Sequence, residues 1–83
     1  IDFGTWEAVS KYYDETKIYP GTGGDIQMEG DTNFLWSESG KTIATIGLDD
    51  IVVIESQNGI LVSKKNKTAM VNQVVERINS GDL

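Results

Sequence analysis

The sequence predicts a small, mainly β domain with a short helix at each end. Between residues 25 and 65, turn signals recur every 8 to 10 residues and separate apolar segments of four to six residues. One of these turns is Asn58-Gly59, a favoured hairpin signal because both residues tolerate positive φ. The even spacing is equally typical of a small solenoid, in which each strand forms one side of a coil. Periodicity therefore predicts β-structure and leaves hairpin pairing and a solenoid both open.

The N-terminal segment predicts a helix followed by a linker. Thr5 is a good N-cap residue for an amphipathic helix over residues 5–14. The apolar positions of this helix follow at helical spacing: Trp6, Val9 and Tyr13. Residues 15–24 contain the one proline of the chain and three glycines, which interrupt regular structure. We expect these residues to form a loop or linker.

The middle of the chain predicts five short strands. They are expected at residues 25–29, 34–36, 41–48, 51–55 and 60–63. Polar or glycine-containing turns separate them, and the turn at residues 57–59 carries the strongest signal.

The C-terminal segment contains the clearest helical pattern. Asn66 or Thr68 can cap this helix, and Gly81 is placed to end it in the C′ position. Its apolar positions recur at helical spacing: Val71, Val74, Val75 and Ile78. This apolar stripe is too small to form a core alone, so we expect the helix to cover an open face or end of the β-layer.

Composition excludes several classes of function. The chain has 83 residues, which is room for one domain with a thin core. Its formal charge of −6 repels phosphates, so neither nucleic acid nor an anionic membrane surface is an expected partner. It has no cysteine and no histidine, which removes thiolate sites and the commonest general base. No apolar run approaches the roughly 18 residues that span a bilayer, and we expect a cytoplasmic setting. Because Ile1 directly precedes a helical pattern, we interpret the chain as a fragment.

A few residues could still carry chemistry or contacts. Asp2 precedes a helix start, where a carboxylate can face a metal or a phosphate, but one carboxylate cannot hold Mg²⁺ without partners. The glycine-rich residues 21–25 lack the lysine and following helix of a phosphate-binding loop. Apolar and aromatic side chains are the better candidates for a subunit interface, and we assign Trp36, Val71 and Val75 to that role.

Five segments resemble one enzyme family in the order in which they occur. They are Asp2-Phe3-Gly4-Thr5-Trp6-Glu7-Ala8, Gly24-Asp25-Ile26, Asn33-Phe34-Leu35, Gly47-Leu48-Asp49-Asp50-Ile51-Val52-Val53-Ile54, and Asn58-Gly59-Ile60-Leu61-Val62 with Lys65-Asn66. Together they are similar to the C-terminal part of bacterial mannose-1-phosphate guanylyltransferases, also called GDP-mannose pyrophosphorylases. Phe3 departs from the aliphatic residue that is usual in the family.

The resemblance implies a fold that spacing leaves open. In that family the C-terminal domain is a short, single-stranded, left-handed β-helix. Residues 1–14 would be the tail of the catalytic nucleotidyltransferase domain, residues 15–24 a linker, and residues 25–83 the β-helix domain with its terminal helix. Asn33 and Gly40 would lie at corners. The side chains expected in the interior are Ile43, Ile46, Val53 and Leu61.

The resemblance also implies a parent activity. The family joins GTP to mannose 1-phosphate, releasing pyrophosphate and GDP-mannose, with Mg²⁺ neutralising charge on the transferred group. Asp2 matches the family aspartate that helps to bind this metal. The nucleotide loop and its basic residues lie upstream in the family, so we expect this fragment to be inactive alone and to need no cofactor. Its expected partners are the upstream catalytic domain and a second copy of the chain.

Two other interpretations stay open. The chain could be a free-standing α+β interaction domain with ordinary antiparallel hairpins. Its parent could also act on another sugar phosphate, such as glucose 1-phosphate, because sugar choice is made in the missing domain.

Overall fold

The computed structural model describes residues 6–9, 11, 15, 25–57 and 59–81, and the first six of these residues are helical. The other elements are, in chain order, β1 (Ile26–Met28), β2 (Phe34–Ser37), β3 (Ala44–Ile46), β4 (Ile51–Ser56), β5 (Gly59–Lys64), a 3₁₀ helix (Lys65–Met70) and α1 (Val71–Asn79). Each predicted strand is therefore present, although β3 is shorter than the predicted residues 41–48.

The strands stack in two successive turns of chain. β1 pairs in parallel with β3, placing Ile26 beside Ala44, and β2 pairs in parallel with β4, placing Phe34 beside Val52. Hydrogen bonds between the corners keep the same separation of 18 residues, as between Asp31 and Asp49. An 18-residue spacing at strands and corners alike means that one coil of chain lies directly on the next. The coiled arrangement that the spacing left open is therefore present.

The hairpin that the same spacing predicted is present as well. β5 folds back antiparallel on β4, with Ser56 paired to Gly59, and extends the second sheet to the order β2-β4-β5. Asn58 lies outside the described residues. The chain thus leaves the coil after two turns, and β5 reverses direction where a third parallel strand would otherwise lie.

The main apolar core lies on one face of the β2-β4-β5 sheet. Its buried side chains are Phe34, Val52, Ile54 and Leu61 from the strands, with Trp6 and Val71 from the two helical segments. Val9, Trp36, Val75 and Ile78 pack against this cluster. Helical segments from both ends of the chain therefore cover the same sheet face, as the apolar stripe of the C-terminal helix predicted.

The opposite face of this sheet points into the coil and carries both apolar and polar side chains. Leu35 is buried there, and Ser37 and Glu55 are neighbours in register on β2 and β4. On the facing sheet the buried residue is Thr45. The predicted interior position of Ile46 is wrong, because alternation along β3 turns Thr45 inward and leaves Ile46 exposed. Of the other predicted interior residues, Leu61 is buried in the core, and Ile43 and Val53 are half-buried.

The C-terminal helix does not begin at a predicted capping residue, but it ends where the sequence predicts. Neither Asn66 nor Thr68 caps it: both belong to the preceding 3₁₀ helix, and the Thr68 hydroxyl donates to the Lys65 carbonyl. Gly81 confirms the predicted C′ position, with φ of 75° and its N–H donating to the Ile78 carbonyl. The tight 3₁₀ turns connect β5 directly to α1.

Asn33 joins the two coils at a corner. Its side chain is buried, and its Nδ2 donates to Gln27 Oε1 at 3.0 Å and to the Leu48 carbonyl at 2.8 Å. Its Oδ1 accepts from the Ile51 N–H at 2.9 Å. A Cβ at Gly30 would overlap the Leu48 carbonyl, so the same corner brings two backbone segments into close approach. The Asn33 amide therefore satisfies backbone groups of the second coil and fixes its register on the first.

Glu55 links the same two coils further along the sheet. Its Oε1 accepts from the Ser37 hydroxyl at 2.5 Å and the Ser39 hydroxyl at 2.6 Å. The Ser37 oxygen in turn accepts from the Lys41 N–H at 2.9 Å. These donors, Ser37 first and then Ser39, lower the pKa of Glu55 because they stabilise its ionised form.

We predict that Asn33→Asp destabilises the fold by about 2 to 3 kcal/mol, because it leaves carbonyl oxygens facing a carboxylate without donors. Urea denaturation followed by circular dichroism measures the change. The matched control is Asn72→Asp on the exposed surface of α1, expected to change stability by no more than about 0.5 kcal/mol. Equal destabilisation by the two variants would contradict a register role for Asn33.

We predict that the stability contributed by Glu55 depends on pH. Because the pKa of Glu55 is lowered by folding, its contribution is present above the unfolded-chain pKa of about 4.3 and is lost as pH falls through the folded-state pKa. Glu55→Gln should therefore be less stable than wild type at neutral pH, by a margin that shrinks on acidification. Urea midpoints between about pH 7 and pH 3 test this. Glu76→Gln, at an exposed position, is the control, and a margin that is constant with pH would refute the prediction.

Candidate functional site

Two sequence features considered for metal or phosphate binding lie outside the part of the chain that the structure describes. This applies to Asp2 and to residues 21–24. Among the described residues, no group of three or more His, Cys, Asp or Glu side chains could hold a metal ion. The metal role of Asp2 stays a prediction.

The acidic residues at the corner of the second coil accept hydrogen bonds from the first coil. Asp49 Oδ1 accepts from the Asp31 N–H at 2.8 Å, and Asp50 Oδ1 accepts from the Thr32 hydroxyl at 2.9 Å. Thr32 and Asp50 occupy corresponding corners of the two coils and have positive φ of 60° and 58°. Asp49 and Asp50 are exposed, and each also holds the second coil against the first.

The buried carboxylate is unsuited to acid–base catalysis. Its lowered pKa keeps Glu55 ionised at neutral pH, whereas a general base works best with a pKa near the operating pH. The Ser37 hydroxyl both donates to this carboxylate and accepts from the Lys41 backbone. With no histidine in the chain, this arrangement supports the fold rather than a nucleophile.

The first apolar surface left exposed by the described residues lies on the outside of the β1–β3 sheet, and we call it the coil patch. It consists of Ile26, Met28 and Ile46, which are 51, 57 and 69 % exposed. Met28 and Ile46 are partners in the parallel register, so their side chains are neighbours on one face. Leu48 is exposed at the corner that follows. Large apolar side chains grouped on one exposed face are typical of a protein contact.

The second surface lies at the β5 edge of the second sheet, beside the helical segment, and we call it the groove patch. Val62, Met70 and Val74 are 64, 50 and 38 % exposed and line a groove of about 220 Å³. Lys67 lines the same groove. Ile60 is also exposed and extends the patch along β5, two residues before Val62. The chemistry available at either patch is binding by apolar contact.

The three residues assigned to an interface contact the core of their own chain. Val71 is buried in the core cluster, and Trp36 and Val75 pack against it. Their contact with a second chain stays a prediction.

The exposed side chains of the coil patch were missed because the family resemblance placed Ile46 in the interior. The sequence did contain a signal for the inward side, because the middle residue of β1 and of β3 is polar. Gln27 bonds to the buried Asn33, and Thr45 is itself buried.

No described helix is long and apolar enough to cross a membrane. The N-terminal helical segment and α1 instead contribute Trp6 and Val71 to the apolar core.

Comparison with known proteins identifies relatives of the whole chain. It is 32 % identical over 79 residues to a Vibrio cholerae protein provisionally named mannose-1-phosphate guanylyltransferase. It is 31 % identical over 78 residues to mannose-1-phosphate guanylyltransferase 2 of Escherichia coli O157:H7, and 30 % identical over 78 residues to the alginate biosynthesis protein AlgA of Pseudomonas fluorescens. These alignments cover 95, 93 and 94 % of this chain but only 17, 16 and 16 % of the relatives. The chain thus spans about a sixth of their length.

A solved structure and a family model were also matched. The crystal structure described as mannose-1-phosphate geranyltransferase from Thermus thermophilus aligns with 89 % of this chain, which covers 23 % of that one. Its TM-score of 0.49 and identity of 18 % are too low to carry an argument. The family model for the MannoseP isomerase/GMP-like β-helix domain matches residues 23–78, which include all five strands and nearly all of α1. On this match, the chain belongs to the MannoseP isomerase/GMP-like β-helix domain family.

Proposed function

We propose that this chain is the C-terminal β-helix module of a mannose-1-phosphate guanylyltransferase and that its role is assembly or domain packing. The observation that carries the proposal is the pair of exposed apolar patches on the described part of the domain. The family match and the names of relatives that align with over nine-tenths of this chain supply the parent enzyme.

The parent would make GDP-mannose from GTP and mannose 1-phosphate in the cytoplasm, with Mg²⁺ at the transferred nucleotidyl group. In this proposal Asp2 contributes to the metal site from the edge of the catalytic domain. Residues that bind nucleotide and sugar belong to the rest of the parent, and this module is inactive alone. Its partners are then the catalytic domain and a second copy of the chain.

We also propose that the coil is left-handed. The support is the resemblance to the family together with the 18-residue register of the two coils. Such a turn accommodates three sides of six residues, the length of the hexapeptide repeats of parallel β-helices. An experimental structure of the chain would decide the hand.

Parallel pairing disfavours the free-standing α+β domain built only from antiparallel hairpins. Two of the three strand pairs are parallel, and the antiparallel pair of β4 and β5 is an addition to them. A parent acting on glucose 1-phosphate stays an alternative because the module would be the same.

We predict that the purified chain releases no pyrophosphate from GTP and mannose 1-phosphate in the presence of Mg²⁺. The physical reason is that this chain spans only about a sixth of the relatives' length, so in this proposal the residues that bind nucleotide and sugar lie elsewhere in the parent. A coupled pyrophosphate assay measures the release. The E. coli O157:H7 relative is the positive control, and turnover by this chain above the enzyme-free blank would refute its inactivity.

We predict that a chimera of that relative, carrying this chain in place of its own matching segment, keeps at least about a tenth of the guanylyltransferase activity. The same chimera with Asn33→Asp should lose thermal stability, because the module would no longer hold its coil register. Activity is assayed by GDP-mannose formation, and stability by thermal inactivation. A soluble, folded chimera that forms no GDP-mannose would count against this parent enzyme.

A further inference from the structure

The charged side chains in the segments around the two apolar patches are opposite in sign. Residues 25–50 hold six carboxylates and one basic side chain: Asp25, Glu29, Asp31, Glu38, Asp49, Asp50 and Lys41. Residues 59–81 hold four basic side chains and one carboxylate: Lys64, Lys65, Lys67, Arg77 and Glu76. The first range contains the coil patch and the second contains the groove patch. The two patches therefore differ in the sign of their surroundings while sharing an apolar centre.

We infer that the coil patch of one chain binds the groove patch of a second copy, so that copies associate head to tail. This names the surfaces and the partner for the assembly role proposed above, and it rests on that role.

Charge placement around the coil patch selects this partner surface. Asp25 and Glu29 flank β1, and Asp49 and Asp50 follow Leu48 after β3. Two coil patches facing each other would bring these carboxylates together, which is unfavourable. A groove patch instead presents Lys67 in the groove itself and Lys64 on the same strand as Val62. Opposite charges then meet around a shared apolar centre.

Because of where the two patches lie, the coil patch of a chain does not bind the groove patch of the same chain. The coil patch lies on the β1–β3 sheet, whereas the groove patch lies on β5 and α1, at the end of the other sheet. Each copy consequently offers one surface of each kind. Contact between unlike surfaces is heterologous, so a first pair still carries one free patch of each kind and can grow further or close into a ring.

The net charge of −6 on each copy does not prevent this contact. At physiological ionic strength, charges further apart than about 8 Å are largely screened. The local charges at the contact therefore matter more than the total. Raising the salt concentration should weaken the preference for unlike patches, because the attraction around the rim is exposed to solvent.

Complementary variants of this chain test the inference. Ile46→Arg places a positive charge in the coil patch, where it would face the basic surroundings of a partner's groove patch. Val62→Glu places a negative charge in the groove patch, where it would face the acidic surroundings of a partner's coil patch. Sedimentation velocity at about 1 mM chain should show wild type at about twice the monomer mass or more, and each variant alone as a monomer. An equimolar mixture of the two variants should associate, because one pair of intact patches remains.

Every alternative gives a different result. If Val62→Glu alone still dimerises, coil patches pair with each other; if Ile46→Arg alone still dimerises, groove patches do so. Either result overturns the inference, as does a monomeric wild-type chain or a mixture that stays monomeric. The controls Ala8→Arg and Ala8→Glu make matched substitutions at an exposed helical position outside both patches, and they should associate as wild type does.

Folding is checked by circular dichroism, with Ile46→Ser and Val62→Ser as a milder second pair. In the mixture, amide resonances of labelled Ile46→Arg should shift along β5 and α1 and not along β1 and β3. Shifts confined to β1 and β3 would also overturn the inference. Because no nucleotide is present, the outcome is independent of the pyrophosphate assay and the chimera, which test the parent enzyme.

Discussion

The buried amide of Asn33 is the contact on which the coil depends. Strand pairs three and four residues long cannot hold a register by themselves, since a shift along so short a ladder costs few hydrogen bonds. Asn33 removes that freedom by bonding to the Leu48 carbonyl and the Ile51 N–H, which belong to the next coil. The corner bonds of Asp49 and Asp50 and the Ser37–Glu55 contact then repeat the same 18-residue offset. Register is thus set by polar side chains.

The polar inward residues of the β1–β3 sheet have a consequence for the outside of the molecule. Since Gln27 and Thr45 face the buried corner amide, alternation turns Ile26, Met28 and Ile46 outward. On the second sheet the main apolar cluster also lies outside the coil, but there the N-terminal helical segment and α1 cover it. The β1–β3 sheet has no such cover within the described residues. One pattern of alternation therefore produces a core on one sheet and an exposed apolar patch on the other.

Local signals in the sequence were sufficient for most elements. Turn residues bounded all five strands, helical spacing identified α1, and Gly81 marked its end. The start of α1 was not predictable from capping residues, because Thr68 bonds within the 3₁₀ helix. Hairpin and coil appeared to be alternatives, yet β4 takes part in both, since a strand has two edges and pairs with β2 on one and β5 on the other. The interface residues Trp36, Val71 and Val75 were selected for apolarity, which also directs side chains to the core.

The sequence alone determined the strand and helix positions, the exclusion of cysteine and histidine chemistry, and a resemblance that the family match bears out. These follow from local spacing and composition, which are properties of neighbouring residues. Only the tertiary structure decided which side of each strand is buried, because Thr45 or Ile46 could equally face inward until the Asn33 corner fixes the coil. The tertiary structure also decided that acidic residues surround one apolar patch and basic residues the other. This arrangement depends on how segments distant in the chain are brought together at the surface.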